Sequence, residues 1–296
     1  MKDKLKMMLA MLIFGSLGIF IRNINLPSSA IAFVRGFVGA LIIIIYCIIT
    51  KRKISFKSIK KNWIFLLVSG AALGFNWMFL FEAYKYTSIA NATLMYYLAP
   101  VFVAILSPFV FKEKMSVSKA VCIFLSLLGM AFVSGVFSSS DMQISKMGFA
   151  FGISAAIFYT IIVISNKFLK DISSVESTIV QLFVSAVVIL PYLLCTEKIS
   201  TFTLTSKELL LLLIVAVVHT GIAYLLYFGT ITKLKAQTVA VYSYIDPVTA
   251  IILSALVLSE KMTILQIVGA ALILGATLFS ELYKSKKQLP ASTINN

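Results

Sequence analysis

Four ionisable residues stand inside long apolar runs of this 296-residue chain: Arg35, Glu82, His219 and Asp246. An ionisable group at bilayer depth costs roughly 2.5–3.5 kcal/mol on insertion scales, so it faces a cavity or a partner rather than lipid. Asp246 lies in the stretch YSYIDPVTAII, residues 242–252, about halfway along its run. His219, the only histidine, falls at a similar depth in the run before it. A carboxylate at that depth can carry a proton, hold a cationic ligand group or satisfy a structural donor, and an imidazole can relay protons or pack. Arg35 and Glu82 fall nearer the outer ends of their runs. An Arg35–Glu82 ion pair is expected to close that side, as a static contact or as a gate. Glu113, Glu260 and Glu281 fall at run ends and read as interfacial.

Proline follows Asp246 directly. Pro247, and Pro100 in an earlier run, each lack an N–H and disturb a helix one turn back, which frees a carbonyl near Ser243 and one near Tyr96. In a membrane such carbonyls need protein or cavity water. Aromatic residues crowd the same level: Tyr96, Tyr97, Tyr242 and Tyr244 beside the prolines, Trp77 next to Asn76, and Tyr224 and Tyr227 in the eighth run. Aromatic faces attract cations and tyrosine hydroxyls orient polar ligands. The expected binding or coupling set is therefore Asp246, His219, Tyr96, Tyr97, Tyr242, Tyr244, Trp77 and Asn76. Arg35 and Glu82 form the outer gate, and Pro100 and Pro247 the kinks. An acid ringed by aromatics favours an amine-bearing ligand, while Arg35, one step outward, suits a zwitterion such as an amino acid.

Neither a metal nor a cofactor is expected. Cys47, Cys122 and Cys195 are dispersed through apolar runs without ligand spacing. No G-x-x-x-x-G-K-[ST] phosphate loop, HExxH pair or nucleophile elbow is present, and no loop is long enough for a soluble catalytic site, so the chain does not read as an enzyme.

The scaffold that holds these residues can be read from composition. Hydrophobic residues make up 60% of the chain and charged residues 12%, against about 45–50% and 25% in soluble domains. Ten apolar runs recur, at 5–21, 30–50, 63–83, 88–111, 117–137, 147–165, 175–195, 209–230, 236–258 and 264–283. Each approaches the ~20 residues a helix needs to cross a bilayer. The expected fold is an all-α polytopic membrane protein with ten transmembrane helices. MKDKLKMMLAMLIFGSLGIF at the start is basic and then apolar like a signal peptide, but its apolar part is long enough to span, so it reads as a retained first helix.

The net charge of +15 is explained by topology. With the N-terminus inside, one set of alternate loops and the two ends carry 19 of the 26 Lys and Arg residues, KRKISFKSIKK at 51–61 among them. That asymmetry places both termini in the cytoplasm, and nucleic acid is not needed as a partner.

The chain also repeats itself. Shifted by 147 residues, YLAPVFVAILSPFVFKEKM at 97–115 overlies YIDPVTAIILSALVLSEKM at 244–262, and over 97–121 there are 11 identities in 25 positions. Apolar bias does not supply a matched Tyr, Pro and Glu-Lys-Met at fixed separations. Asp246 is unmatched, since its repeat-mate is Ala99. The expected units are 1–140 and 141–284, with a cytoplasmic tail at 285–296. Five spans per unit is an odd number, so the second unit is inverted in the membrane relative to the first, a plan that recurs in secondary transporters.

The Tyr-x-x-Pro-Val run ending in FKEKMS or LSEKMT, the lead-in FEAYKYTSIANATLMYYLAP and the stretch AFVRGFVGAL resemble the EamA repeats of the drug/metabolite transporter superfamily over almost the whole chain. The resemblance implies a ten-helix secondary transporter, often an exporter of amino acids or other small metabolites, with a central cavity between its halves. The expected function is alternating-access transport of a small polar metabolite across the cell membrane, with or without a coupled proton. A lipid-linked metabolite flippase is the alternative, and a membrane-embedded enzyme a more distant one. Expected partners are the small-molecule substrate and the bilayer, with the chain as monomer or homodimer. The small-residue runs GAALILGA at 269–276 and SLLGMA at 126–131 suit close helix packing within the chain or across a dimer.

Overall fold

The computed structural model describes residues 2–112, 116–134, 146–197, 202–231, 233–234 and 236–287, which form helices and loops with no strand among them. In chain order the helices are α1 Lys2–Arg22, α2 Ser28–Ile49, α3 Phe56–Lys61, α4 Trp63–Tyr86, α5 Ile89–Tyr96, α6 Ala99–Phe111, α7 Val117–Val133, α8 Lys146–Lys167, α9 Ser174–Thr196, α10 Ser206–Ala216, α11 Ala223–Ile231, α12 Ala236–Ser243, α13 Ile245–Leu258 and α14 Ile264–Lys287. The backbone between α10 and α11 widens into a π-helical turn, Val217–Ile222. Eight stretches among the described residues are long and apolar enough to cross a membrane, whereas Val117–Val133 and Ile264–Ser280 are apolar but shorter. All ten expected runs are thus helical, and the expected end of the fifth falls outside the described residues. Glu113 and the side chain of Glu281 also lie outside them.

Helix starts reflect local chemistry. Ser88, Ser116, Ser173 and Thr205 each accept the backbone N–H three residues on, and Glu176 and Glu208 close reciprocal capping boxes. Thr263 and Gln266 make the same reciprocal pair at the start of α14. The repeat is visible at the helix ends as well. Lys112 after α6 and Ser259 after α13, repeat-mates by the 147-residue shift, both take the left-handed conformation, with φ of 53° and 54°.

Packing is reciprocal between the halves. α1 lies against α11 and α13, and its counterpart α8 lies against α4, α5 and α6. α2 packs on α9 and α7 on α14, each pair joining equivalent helices of the two halves. The small-residue runs meet inside the chain at that last crossing. A Cβ on Gly129 would come within 2.7 Å of the Gly269 carbonyl, and one on Gly269 within 2.5 Å of the Gly129 carbonyl. Only glycine lets the two backbones approach this closely.

Polar contacts mark the two ends of the bundle. At one end Lys61 Nζ meets Asp171 at 2.6 Å and holds that carboxyl below its ordinary range, while Asn62 donates to the Lys170 carbonyl at 2.8 Å. Lys233 approaches Asp3 at the same end. At the other, Arg22 binds Glu260 at 2.7 Å, and the Asn25 N–H donates to Glu208 at 3.2 Å. The loops that share the basic charge thus share one end of the molecule.

Candidate functional site

The two prolines break their helices where the freed carbonyls lie. α5 ends at Tyr96, and α6 restarts at Ala99 with Pro100 in its first turn; α12 ends at Ser243, and α13 restarts at Ile245 with Pro247 in its first turn. One side chain serves both features of the second break. Tyr97 donates its hydroxyl to Asp246 Oδ2 at 2.9 Å, and the same hydroxyl stands 3.5 Å from the Ser243 carbonyl that Pro247 leaves without its helical donor. Behind Asp246 the backbone is pressed against α1, for a Cβ on Gly15 would lie 2.5 Å from the Asp246 carbonyl oxygen.

Beside the breaks is a cavity of about 690 Å³. Tyr96, Tyr97, Tyr159, Tyr227, Tyr244 and Asp246 form its inner wall. Lys119, Lys167, Leu234 and Ser280 line it toward the end of the bundle that carries the basic loops. At the opposite end one carboxylate gathers several helices. Glu260 accepts from Arg22, from the Ile89 N–H at 2.9 Å and from the Ser254 hydroxyl, and Arg22 also donates to the Thr87 carbonyl at 3.1 Å. One carboxylate therefore joins the end of α1, the start of α5 and the end of α13.

Of the expected binding residues, Asp246, Tyr96, Tyr97 and Tyr244 line the cavity, together with Pro100. Pro247 is buried behind the wall. His219, Tyr242, Trp77 and Asn76 are not in the wall. His219 is 2% exposed, with Nε2 3.1 Å from Ser16 Oγ, Nδ1 3.4 Å from the Ile214 carbonyl and its ring 4.7 Å from that of Phe20. These contacts hold it between α1 and the π turn. Asn76 donates to the Ala155 carbonyl at 2.7 Å, Tyr242 packs on Met7, Ala10 and Met11, and Trp77 lies under the Arg35 guanidinium at 4.0 Å.

The expected Arg35–Glu82 pair is not formed. Arg35 is turned into the bundle, where Nε donates to Thr220 Oγ1 at 2.9 Å, and it is 2% exposed. Glu82 instead accepts the Ser28 hydroxyl at 2.5 Å and pairs with Lys85 at 3.1 Å, one turn along its own helix. The ion pair formed at that end is Arg22–Glu260. Its sequence signal is the Glu-Lys-Met shared by both halves, and Arg22 carries none. Tyr159, whose ring lies 5.0 Å from that of Tyr96, carries none either.

A family model described as the EamA-like transporter family matches this chain twice, over residues 4–135 and 146–282. The chain belongs to the EamA-like transporter family. Similar proteins bear names of the same kind. "Uncharacterized transporter YxxF" of Bacillus subtilis (strain 168) is 29% identical over 271 residues, 91% of this chain and 86% of its own. An "Uncharacterized transporter" of Archaeoglobus fulgidus is 25% identical over 92% of this chain and 93% of its own. A crystal structure matches with a TM-score of 0.65 at 17% identity, covering 97% of this chain and 99% of that one, a likeness of fold alone. Together with the apolar helices, EamA membership makes this protein a multi-pass membrane transporter. The second EamA match contains Asp246 and the first contains Tyr97, so their hydrogen bond joins the two repeats.

Proposed function

We propose that the protein is a secondary transporter of a small polar metabolite with a cationic group, an amino acid or amine-like solute, and that Asp246 holds that group. The observation that carries the reading is the Asp246 carboxylate in the cavity wall, at the restart of a broken helix, fixed by Tyr97 from the other repeat. Broken helices with charged or polar groups at mid-depth are where substrate sites of inverted-repeat transporters lie. The reciprocal packing supports alternating access by ten spans, arranged as two inverted five-helix units at 1–140 and 141–284 with a tail at 285–296. The clustering of basic residues supports a cell-membrane protein with both termini in the cytoplasm and the cavity open to that side. A cavity open inward suits a solute loaded from the cytoplasm, so export is the favoured direction. A proton on Asp246 in the absence of solute is the coupling we favour, in a monomer or a homodimer.

Reconstitution in liposomes tests this. Counterflow of labelled amino acids or amines is expected with the unaltered chain and is expected to be lost in Asp246→Asn at unchanged expression and elution. Equal flux and equal pH dependence in the variant would remove Asp246 from the mechanism. Scrambling of lipid headgroups without solute counterflow would instead support a flippase.

A further inference from the structure

The connection between α2 and α4 carries six cations and no acid in eleven residues, KRKISFKSIKK at 51–61. A topological signal needs only the charge. This segment is also folded and pinned. Lys51 takes the left-handed conformation with φ of 52°, and the Arg52 N–H donates back to the Cys47 carbonyl at 2.8 Å, which turns the chain sharply off α2. Ser55 then caps α3 through the Ser58 N–H, and its own N–H donates to Glu176 Oε1 at 2.7 Å. At the far end Asn62 donates to the Lys170 carbonyl at 2.8 Å and accepts the Lys170 N–H at 2.9 Å, beside the Lys61–Asp171 pair. Ile54 packs on the core underneath. The segment is a platform, fastened at one end to α9 and at the other to the loop that precedes it.

What the platform turns outward is unanswered within the chain. Lys61 has Asp171, and Arg52 lies within electrostatic reach of Glu176. Lys51, Lys53, Lys57 and Lys60 are exposed, and none of them forms an ion pair among the described residues. Set among them are two aromatic residues turned out of the bundle, Phe56 at 80% and Trp63 at 59% exposure. Phe56 and Lys60 are four apart in α3 and share one face. Burial of apolar surface gives a water-facing loop no reason to hold a phenyl ring out in this way. Cations interleaved with exposed aromatic rings, at the end of a spanning helix, match the layer where lipid headgroups meet acyl chains.

We infer that residues 51–63 form a docking surface for phospholipid of net negative charge, in which the exposed lysines hold the headgroup phosphates and Phe56 and Trp63 enter the layer beneath them. The partner is the leaflet at this end of the bundle, and the inference depends neither on the solute nor on Asp246. Asp171 and Glu176 belong to the second repeat, so lipid seated here also braces a contact between the repeats.

The test uses the full chain in detergent, stripped of lipid, with phosphatidylglycerol and phosphatidylcholine of identical acyl chains. Melting temperature is followed against lipid concentration, and native mass spectrometry counts the lipids retained. Phosphatidylglycerol is expected to raise the melting temperature, and to act at about tenfold lower concentration than phosphatidylcholine. A cation beside an anionic lipid contributes about fivefold in binding. Lys53→Gln, Lys57→Gln and Lys60→Gln together are therefore expected to weaken phosphatidylglycerol by about tenfold or more and phosphatidylcholine by less than about twofold. Lys2→Gln, Lys4→Gln and Lys6→Gln remove the same charge from exposed positions at the same end. Away from the platform their effect is screened, and both lipids are expected to stay within about twofold. Phe56→Ser, with every cation kept, is expected to weaken both lipids by about threefold or more. Elution as a single species certifies each variant. Equal action of the two lipids on the unaltered chain overturns the inference without any variant. Equal weakening by the two triple variants overturns it as well, because net charge and not the platform would then hold the lipid. Lipid affinity unmoved in Phe56→Ser, or stabilisation by inorganic phosphate equal to that by phosphatidylglycerol, overturns the lipid as occupant.

Discussion

Arg22 and Glu260, separated by 238 positions in the chain, meet at 2.7 Å and tie the end of α1 to the end of α13. Glu260 also takes the Ile89 N–H at the start of α5, so both broken helices are held at this end by the same carboxylate. A transporter that opens here must release that knot. Arg22→Glu and Glu260→Arg alone are expected to reduce solute flux strongly. The exchanged double variant is expected to recover part of it, because the ion pair is restored but the Ile89 and Ser254 contacts are not. Flux in the double variant equal to the sum of the single losses means that the pair is not coupled.

Tyr97→Phe isolates the hydroxyl that fixes Asp246. A hydrogen bond to a charged group contributes about 1.5–3 kcal/mol to stability, so the melting temperature is expected to fall, and KM is expected to rise because the carboxylate loses the contact that holds it in the cavity wall. An unchanged KM would mean that the bond is incidental to binding.

His219→Gln checks whether the histidine packs or titrates. Its contacts with Ser16, Ile214 and Phe20 predict a loss of about 1–2 kcal/mol in stability, read as a lower melting temperature, with the pH profile of flux unmoved. A shifted pH profile would assign it a proton.

Gly15→Ala is expected to push α1 off α13, since the new methyl would stand 2.5 Å from the Asp246 carbonyl and 2.6 Å from Thr249 Cβ. Overpacking of this kind costs about 1–3 kcal/mol and is expected to lower flux as well as stability. Gly275→Ala, where a Cβ meets nothing within 4 Å, is the control. It is expected to be neutral or stabilising, because alanine is the better helix former.

Ser259→Gly relieves a left-handed residue that is not glycine. The conformation costs roughly 1–2 kcal/mol in an L-residue, so the melting temperature is expected to rise, and Lys112→Gly is expected to act in the same direction. A fall in either would mean that the side chain makes a compensating contact.

Much of this arrangement is readable in the chain. The apolar runs locate the helices, the duplicated Tyr-x-x-Pro locates both breaks, and the unmatched Asp246 lines the cavity. Direction around a helix axis is what the residues do not give. α4 is apolar on every side, so no stripe tells whether Asn76 and Trp77 face the cavity or another helix. Depth alone pairs Arg35 with Glu82, although Arg35 points into the bundle and Glu82 lies one turn from Lys85. The depth of His219 says nothing of the π turn in which it sits. The extra residue in such a turn rotates the downstream helix by about 100°, and no residue type in VVHTGI announces it.

The contact between Gly15 and Asp246 gives α1 a mechanical part. The helix rests on the site through Gly15 and carries Arg22 two turns further along, about 10 Å away at 1.5 Å per residue. At Gly15 the backbone of α1 meets the Asp246 carbonyl and Thr249 Cβ directly, so little is left to absorb a shift of α13. A solute that nudges α13 would tilt the whole rod and load the knot at its tip. In that picture α1 is a lever with its fulcrum at the proposed site, and glycine at position 15 is what keeps the fulcrum hard.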